Sequence, residues 1–233
     1  MEFEPRLPVK VSPRFSEEKA HAMQLQLSRL LLQEDKLPEN INYVAGVDVG
    51  YARGVSVGIV AVLDFDSLSL VETKAAHVKT RFPYIPTLLS FREVPPSYSA
   101  IKKLQTHPDV FLVDGQGFAH PYRLGFASHL GLTVEKPTIG VAKNLLCGKV
   151  GHVGEHGWAP LMDRGEIIGA EVESKRGTKP IYISIGHRVS LKRAVTIVMQ
   201  CARTCRIPEP IRRAHIIASE EKRRILTHTK QHK

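Results

Sequence analysis

Apolar residues recur along the chain in two rhythms, every three to four positions or in dense and alternating runs, and the switch between them predicts the elements. SEEKAHAMQLQLSRLLLQE opens on Ser16 as a cap and repeats at helical spacing, which predicts an N-terminal helix; Pro5, Pro8 and Pro13 keep the stretch before it irregular. INYVAGVDVGYA, VSVGIVAVLDF and SLSLVETKAAHV read as strands, and the short turns at Gly54 and at Asp66 and Ser67 imply an antiparallel meander. RFPYIPTLLSFREVPPSYSAIKKLQTH contains four prolines, so a loop and two short helices, TLLSFREV and SAIKKLQTH, are expected there. PDVFLVDG then reads as a buried strand, YRLGFASHLG as a helix ended by Gly131, and PTIGVA as a second strand, a parallel crossover. Beyond glycine-rich loops, EIIGAEV and KPIYISIG predict strands, SLKRAVTIVMQCARTC and PIRRAHIIASEEKRRIL predict helices, and THTKQHK forms a basic tail.

Three antiparallel strands joined to two parallel ones and flanked by helices make an α/β fold with the ribonuclease H-like order, a mixed central sheet. With 233 residues and neither a repeat nor a linker, one domain over residues 1–233 is expected. Hydrophobic residues at 42% and charged residues at 24% exclude disordered and fibrous classes. The start lacks a basic segment followed by an apolar core, and no run nears the roughly 20 apolar residues of a membrane span. A soluble, cytoplasmic protein with no membrane partner is expected. Cys147, Cys201 and Cys205 are too few and too irregular for a disulfide framework or a zinc site; Cys201 and Cys205, one helical turn apart, read as buried small hydrophobes.

Charge changes the picture. The 33 Lys and Arg against 23 Asp and Glu give +10 and a pI near 9.6, which suits a partner rich in phosphates but equally a merely basic protein. The acids break the tie. Asp48 sits inside the apolar run VAGVDVGY, and Asp114 ends FLVDG, places where a carboxylate is costly unless paired, hydrogen-bonded or bound to a metal. Glu93 in SFREV supplies a third acid from a helix; the alternative for it is a surface ion pair with Arg92 or Lys102. Oxygen ligands of this kind suit Mg²⁺ or Mn²⁺ better than zinc, and one or two such ions activate water for attack on a phosphodiester. Lys143, just past a strand in TIGVAKNLL, is a candidate cation for the phosphate or a plain loop lysine. His120 after DGQGFAH could face the same site, whereas His215 in PIRRAHIIA reads first as a boundary residue of the last helix. Gly115 and Gly117 permit close approach to a ligand or a tight turn, and neither GxGxxG nor GxxxxGK[ST] is present. Pro83, Tyr84, Ile85 and Pro86 form a stiff apolar loop, either packed on the core or a wedge of the kind that separates stacked bases.

Taken in order, VAGVDVGY, PYIP…LLSFRE, FLVDGQGFAHPYRLGFASHLG, TIGVAKNLL, KPIYISIGHRVSL and RIPEPIRRAH resemble the successive motifs of the endonuclease V family from about residue 40 to 220. The resemblance implies Mg²⁺-dependent nicking (Mn²⁺ as substitute) at the second phosphodiester 3′ to deoxyinosine, leaving 3′-hydroxyl and 5′-phosphate ends. It implies DNA containing deoxyinosine as partner, with inosine-containing RNA left open, and a monomer. By the same resemblance Asp48, Glu93 and Asp114 match metal-binding acids, Lys143 a lysine near the phosphate, and His215 a histidine near the metal. Tyr84, with Pro83, Ile85 and Pro86, matches the strand-separating wedge, and Gly115, Gly117 and His120 match the lesion pocket. Two positions depart from the pattern: Thr87 where a glycine is expected after PYIP, and Tyr122 where arginine is more usual, and both bear on pocket shape and phosphate grip. Competing readings are another ribonuclease H-like nuclease without lesion specificity, and a binding module that does not cut.

Overall fold

The computed structural model describes residues 15–227, so the proline-rich start and the tail from residue 228 lie outside it. Strands β1 (Tyr43–Ala52), β2 (Val55–Asp64) and β3 (Leu70–Lys79) form the expected meander. β4 (Val110–Asp114) then pairs parallel to β1, and β5 (Thr138–Ala142) parallel to β4. The order β3-β2-β1-β4-β5 is the ribonuclease H-like arrangement. The sheet continues further, through β9 (Ile181–His187), β8 (Glu166–Val172), β7 (Ala159–Asp163) and β6 (Lys149–Val150), all antiparallel, to nine strands. β6 and β7 fall in the stretch read as glycine-rich loop: one has two residues and the other carries Pro160, so neither has a strand's signature.

Strand side chains alternate between two layers. Val44, Val57, Ile59, Val110, Leu112 and Ile139 face the core beneath α4 (Leu191–Cys201) and α5 (Glu209–Thr227). Ala45, Val47, Val60, Phe111 and Val113 face α2 (Leu89–Ile101) and α3 (Phe126–Val134). Two glycines let helices settle onto the sheet backbone: a Cβ on Gly46 would lie 1.9 Å from the Pro210 carbonyl oxygen of α5, and one on Gly58 would lie 2.3 Å from the Pro96 carbonyl of α2. Among the described residues no helix is long and apolar enough to cross a membrane.

Four helix expectations change. α1 (Glu17–Ser28) begins at the Ser16 cap but stops before Leu31, because the following backbone is taken by the end of β9: Leu32 donates to His187 Nδ1 at 3.2 Å and accepts from Arg188 at 2.7 Å. The two short helices expected around Pro95 and Pro96 are one helix, α2, with both prolines inside it. Its contact at Gly58 holds the backbone helical where two hydrogen bonds are forfeited. α3 starts only at Phe126 and runs through Gly131, which is buried against Thr138, to end at Glu135 in a left-handed conformation. Cys201 closes α4 and is buried, whereas Cys205 lies in the loop beyond and is half-buried, so the two do not share a helical face.

Candidate active site

Strand register brings the first two acids together. Val47 pairs with Val113, so Asp48 and Asp114 follow on adjacent parallel strands and point to the same face, the one beneath α5. Adjacent strands lie about 4.8 Å apart, which sets the spacing of the two carboxylates. α5 runs in step with β1: Pro210 sits over Gly46 and Ala218 over Gly50. Eight helical residues rise about 12 Å and four strand residues about 13 Å, so His215, between those contacts, lands over Asp48. Its Nδ1 lies 2.8 Å from Asp48 Oδ2, and one ligand atom each from Asp48, Asp114 and His215 lie within 4.8 Å of one another. The reading of His215 as a boundary residue of the helix therefore gives way to one at the acid cluster.

Glu93 comes from the opposite layer. On α2 it shares the buried stripe of Ser90, Val94, Ser97 and Ala100. β4 stops at Asp114 while β1 continues to Ala52, and beside that gap Glu93 comes within electrostatic reach of both aspartates. Burial first, then Asp48 and Asp114, push its carboxyl up to about 8. The Tyr51 hydroxyl donates to its Oε1 at 3.3 Å, and the Arg92 guanidinium lies over the Tyr51 ring at 4.0 Å. Lys102 instead lies over Tyr98, so a surface ion pair is not what Glu93 makes. Burial and then Asp48 also raise Asp114, opposed by Lys143, whose Nζ donates to Asp114 Oδ2 at 2.6 Å. Lys143 is thus a partner of the cluster and not a solvated loop residue.

The remaining candidates form a second group. Gly115 donates to Val141 at 3.1 Å, Gly117 to Ser184 Oγ at 2.9 Å, and Phe118 to Ile185 at 2.7 Å, which ties the segment after Asp114 to β5 and β9. His120 is buried; the Tyr122 N–H donates to its Nδ1 at 3.2 Å, so its Nε2 carries the proton and bonds to the Thr87 backbone. Burial lowers it to about 4, keeping it neutral. The Pro83–Pro86 loop leads directly into α2, with Tyr84 46% exposed, Pro86 exposed, and Pro83 and Ile85 half-buried. Thr87 has φ 68°, the backbone region that favours glycine, which accounts physically for the glycine expected there.

Sequence reasoning missed several supports. Tyr51 stands three positions after Asp48, a strand spacing that turns it to the α2 face, and only the fold shows Glu93 waiting there. Arg206 donates to the carbonyls of Lys143 at 2.9 Å, Pro180 at 2.8 Å and Lys179 at 2.7 Å, clamping the loop that presents Lys143. Gln116 Nε2 donates to Asn144 on the same loop at 3.0 Å. No local pattern marks these long-range bonds.

Comparison with known proteins agrees with this arrangement. The sequence pattern of the endonuclease V family, described as Endonuclease V, matches residues 25–216. An endonuclease V of Thermofilum pendens is 47% identical over 211 residues, 90% of this chain and 90% of that protein. The crystal structure of endonuclease V from Streptomyces avermitilis superposes with a TM-score of 0.82 at 36% identity, covering 92% of this chain and 95% of that one. Endonuclease V of Ciona intestinalis, crystallised with a 24mer DNA containing an inosine followed by a ribo-adenosine, gives a TM-score of 0.81 at 31% identity over 89% of this chain and 98% of that one. With strand order, acid cluster and similarity all concordant, this chain belongs to the endonuclease V family and is an endonuclease.

Proposed function

We propose that this protein is a Mg²⁺-dependent endonuclease, with Mn²⁺ as substitute, that nicks DNA at the second phosphodiester 3′ to deoxyinosine and begins repair of deaminated adenine. We infer also that it acts as a single-domain monomer in the cytoplasm. The observation that carries the reading is the meeting of Asp48, Asp114 and His215, with Lys143 on Asp114 and the buried Glu93 within electrostatic reach of both aspartates. The relative from Ciona, solved with inosine-containing DNA, supports the choice of substrate.

The donor set fits a hard divalent cation. Two carboxylates and His215 lie within 4.8 Å of one another with Glu93 in electrostatic reach, and burial with mutual repulsion raises Glu93 and Asp114, a conflict that an ion of +2 charge resolves. Asp48, Asp114 and Glu93 would hold it, and a bound Mg²⁺ supplies charge neutralisation at the phosphate oxygens. Lys143 Nζ, presented beside Asp114, contacts a non-bridging oxygen of the scissile phosphate. Asp48 orients His215 through Nδ1; the other ring nitrogen is then a proton acceptor suited to take the proton of the attacking water. Water adds to phosphorus as its proton passes to His215, the bond to O3′ breaks, and O3′ takes up a proton from solvent, giving a 3′-hydroxyl and a 5′-phosphate. Tyr84, held between Pro83 and Pro86, fills the space left in the stack, and the displaced base enters a pocket bordered by Gly115, Gly117 and His120.

The test is cleavage of matched oligonucleotides with and without inosine, as duplex DNA, single-stranded DNA and RNA, with the ends mapped. Cutting is expected at the second phosphodiester 3′ to inosine with Mg²⁺ or Mn²⁺, and Asp48→Asn or Asp114→Asn should slow it on the order of 10³-fold. Undiminished cutting in excess chelator removes the metal assignment, and equal cutting of unmodified DNA removes the lesion specificity.

A further inference from the structure

Thr87 follows the Pro83–Pro86 loop in a left-handed conformation, φ 68°, that a β-branched side chain rarely adopts without support. Besides the bond from His120 to its backbone, it is supported by a distant helix. Gln24 of α1 donates through Nε2 to the Thr87 carbonyl at 2.8 Å and to the Leu124 carbonyl at 3.2 Å, bridging the loop before α2 to the loop before α3. One helical turn away on the same face, His21 Nε2 lies 2.9 Å from Thr87 Oγ1. The Thr87 hydroxyl donates its only proton to the Pro86 carbonyl at 2.5 Å, so His21 is the donor in that pair. The other face of the arrangement is Tyr122, whose ring stacks on His21 at 4.0 Å with 9° between planes. The two positions at which the sequence departs from the family pattern are therefore joined by one histidine.

Gln24 is fully buried, and its Oε1 has no hydrogen-bond partner among the described residues. An orphaned buried carbonyl is a cost that a leucine at this position avoids, and the amide offsets it only through the two carbonyls it holds. We propose that His21 and Gln24 are positioning residues that lock the Pro83–Pro86 loop through Thr87, and so determine how well the enzyme engages inosine inside a duplex. The proposal rests on the wedge reading of that loop. α1 contributes nothing to the acid cluster: it holds the backbone of the residue next to the loop, and its loss is felt where DNA must be opened.

Two readouts on the full chain test this. Hydrogen exchange at the Leu88 amide, which donates to the Ile85 carbonyl at 3.0 Å inside the loop, reports the lock without any DNA. Steady-state cleavage of inosine-containing duplex and single-stranded DNA reports its use. Gln24→Leu removes the donor and the orphan together while keeping the volume, so it should fold. Gln24→Leu and His21→Ala are each expected to speed exchange at Leu88 and to raise KM on duplex about tenfold, the scale of left-handed strain, with a much smaller change on single strands. Adding Thr87→Gly to either variant should recover most of the duplex KM, because glycine holds φ 68° unaided; a role in overall folding is not rescued this way. Unaltered exchange at Leu88 overturns the lock. So does an equal loss on both substrates that Thr87→Gly leaves in place. Tyr84→Ala is the reference: if it raises duplex KM while Gln24→Leu and His21→Ala do not, the lock is wrong and the wedge stands. If exchange quickens but no variant, Tyr84→Ala included, affects duplex more than single strand, the wedge reading falls and takes the proposal's functional half with it.

Discussion

Glu93 is 8% exposed and sits near two other acids, and burial with that repulsion raises its carboxyl from 4.5 to about 8. A carboxyl raised in the folded state favours folding when protonated, so its contribution is full below the unfolded value and is lost as pH rises from 4.5 through 8. His120 and His129, both lowered to about 4 by burial, act in the opposite sense and cost stability as pH falls from 6.5 to 4. Above pH 7 the Glu93 effect stands apart from theirs. Without divalent ions, Glu93→Gln should therefore melt above wild type at pH 8, by about 2–4 °C for each kcal/mol relieved, with the gap closing by pH 5. Added Mg²⁺ should raise the wild-type midpoint at pH 8 more than that of the variant. Thermal melts at several pH values check this, and parallel curves for the two proteins would rule out a buried, repelled Glu93. At this scale the legible residues were those in the wrong company: Asp48 and Asp114 are charges inside apolar strands. Glu93 was harder to read, because one helix supplies its burial and another layer its neighbours. Tyr51 and Arg206 could not be read at all, since Glu93 lies 42 residues from Tyr51 and Lys143 lies 63 from Arg206.

Elements position these residues through backbone contact more than through side-chain bonds. α5 presses on β1 at Gly46, where an added Cβ would stand 1.9 Å from the Pro210 carbonyl oxygen, so Gly46→Ala must lift the start of α5 and move His215 away from Asp48. Overpacking of this kind costs roughly 1–3 kcal/mol, and a loss of cutting beyond that explained by stability is expected. Gly154→Ala, where nothing lies within 4 Å, should be neutral in both respects. Melting midpoints and initial cleavage rates at a temperature where all three proteins are folded make the comparison; a Gly46→Ala enzyme with wild-type rate would show that His215 is dispensable or that α5 adapts. The meander, the crossover and the last helix were legible because each buries a periodic apolar face. α2 was not, for Pro95 and Pro96 forbid what only its seat on Gly58 permits. β6 and β7 were not, because the edge strand β6 borrows its order from β7, and β7 from β8.

The whole chain carries a net charge of +10, yet its site is made of acids. The two opposite fields divide the work. On the proposed function, phosphates are drawn to the protein by its excess of lysine and arginine, while the acids repel them locally until a divalent cation reverses the sign. Affinity and cleavage should then separate. In chelator, Asp48→Asn is expected to bind an inosine-containing oligonucleotide at least as tightly as wild type, because one local negative charge is gone. Raising monovalent salt from 50 to 200 mM should weaken both proteins alike, on the order of 10²-fold or more, as counterion release requires when several phosphates are contacted. Fluorescence anisotropy titrations at three or four salt concentrations give the slopes. Parallel slopes with equal or tighter binding by the variant place the affinity outside the acid cluster. A variant that loses binding as steeply as it loses cutting would instead mean that Asp48 holds the nucleic acid in place through His215 and α5, and the division between attraction and chemistry would have to be abandoned.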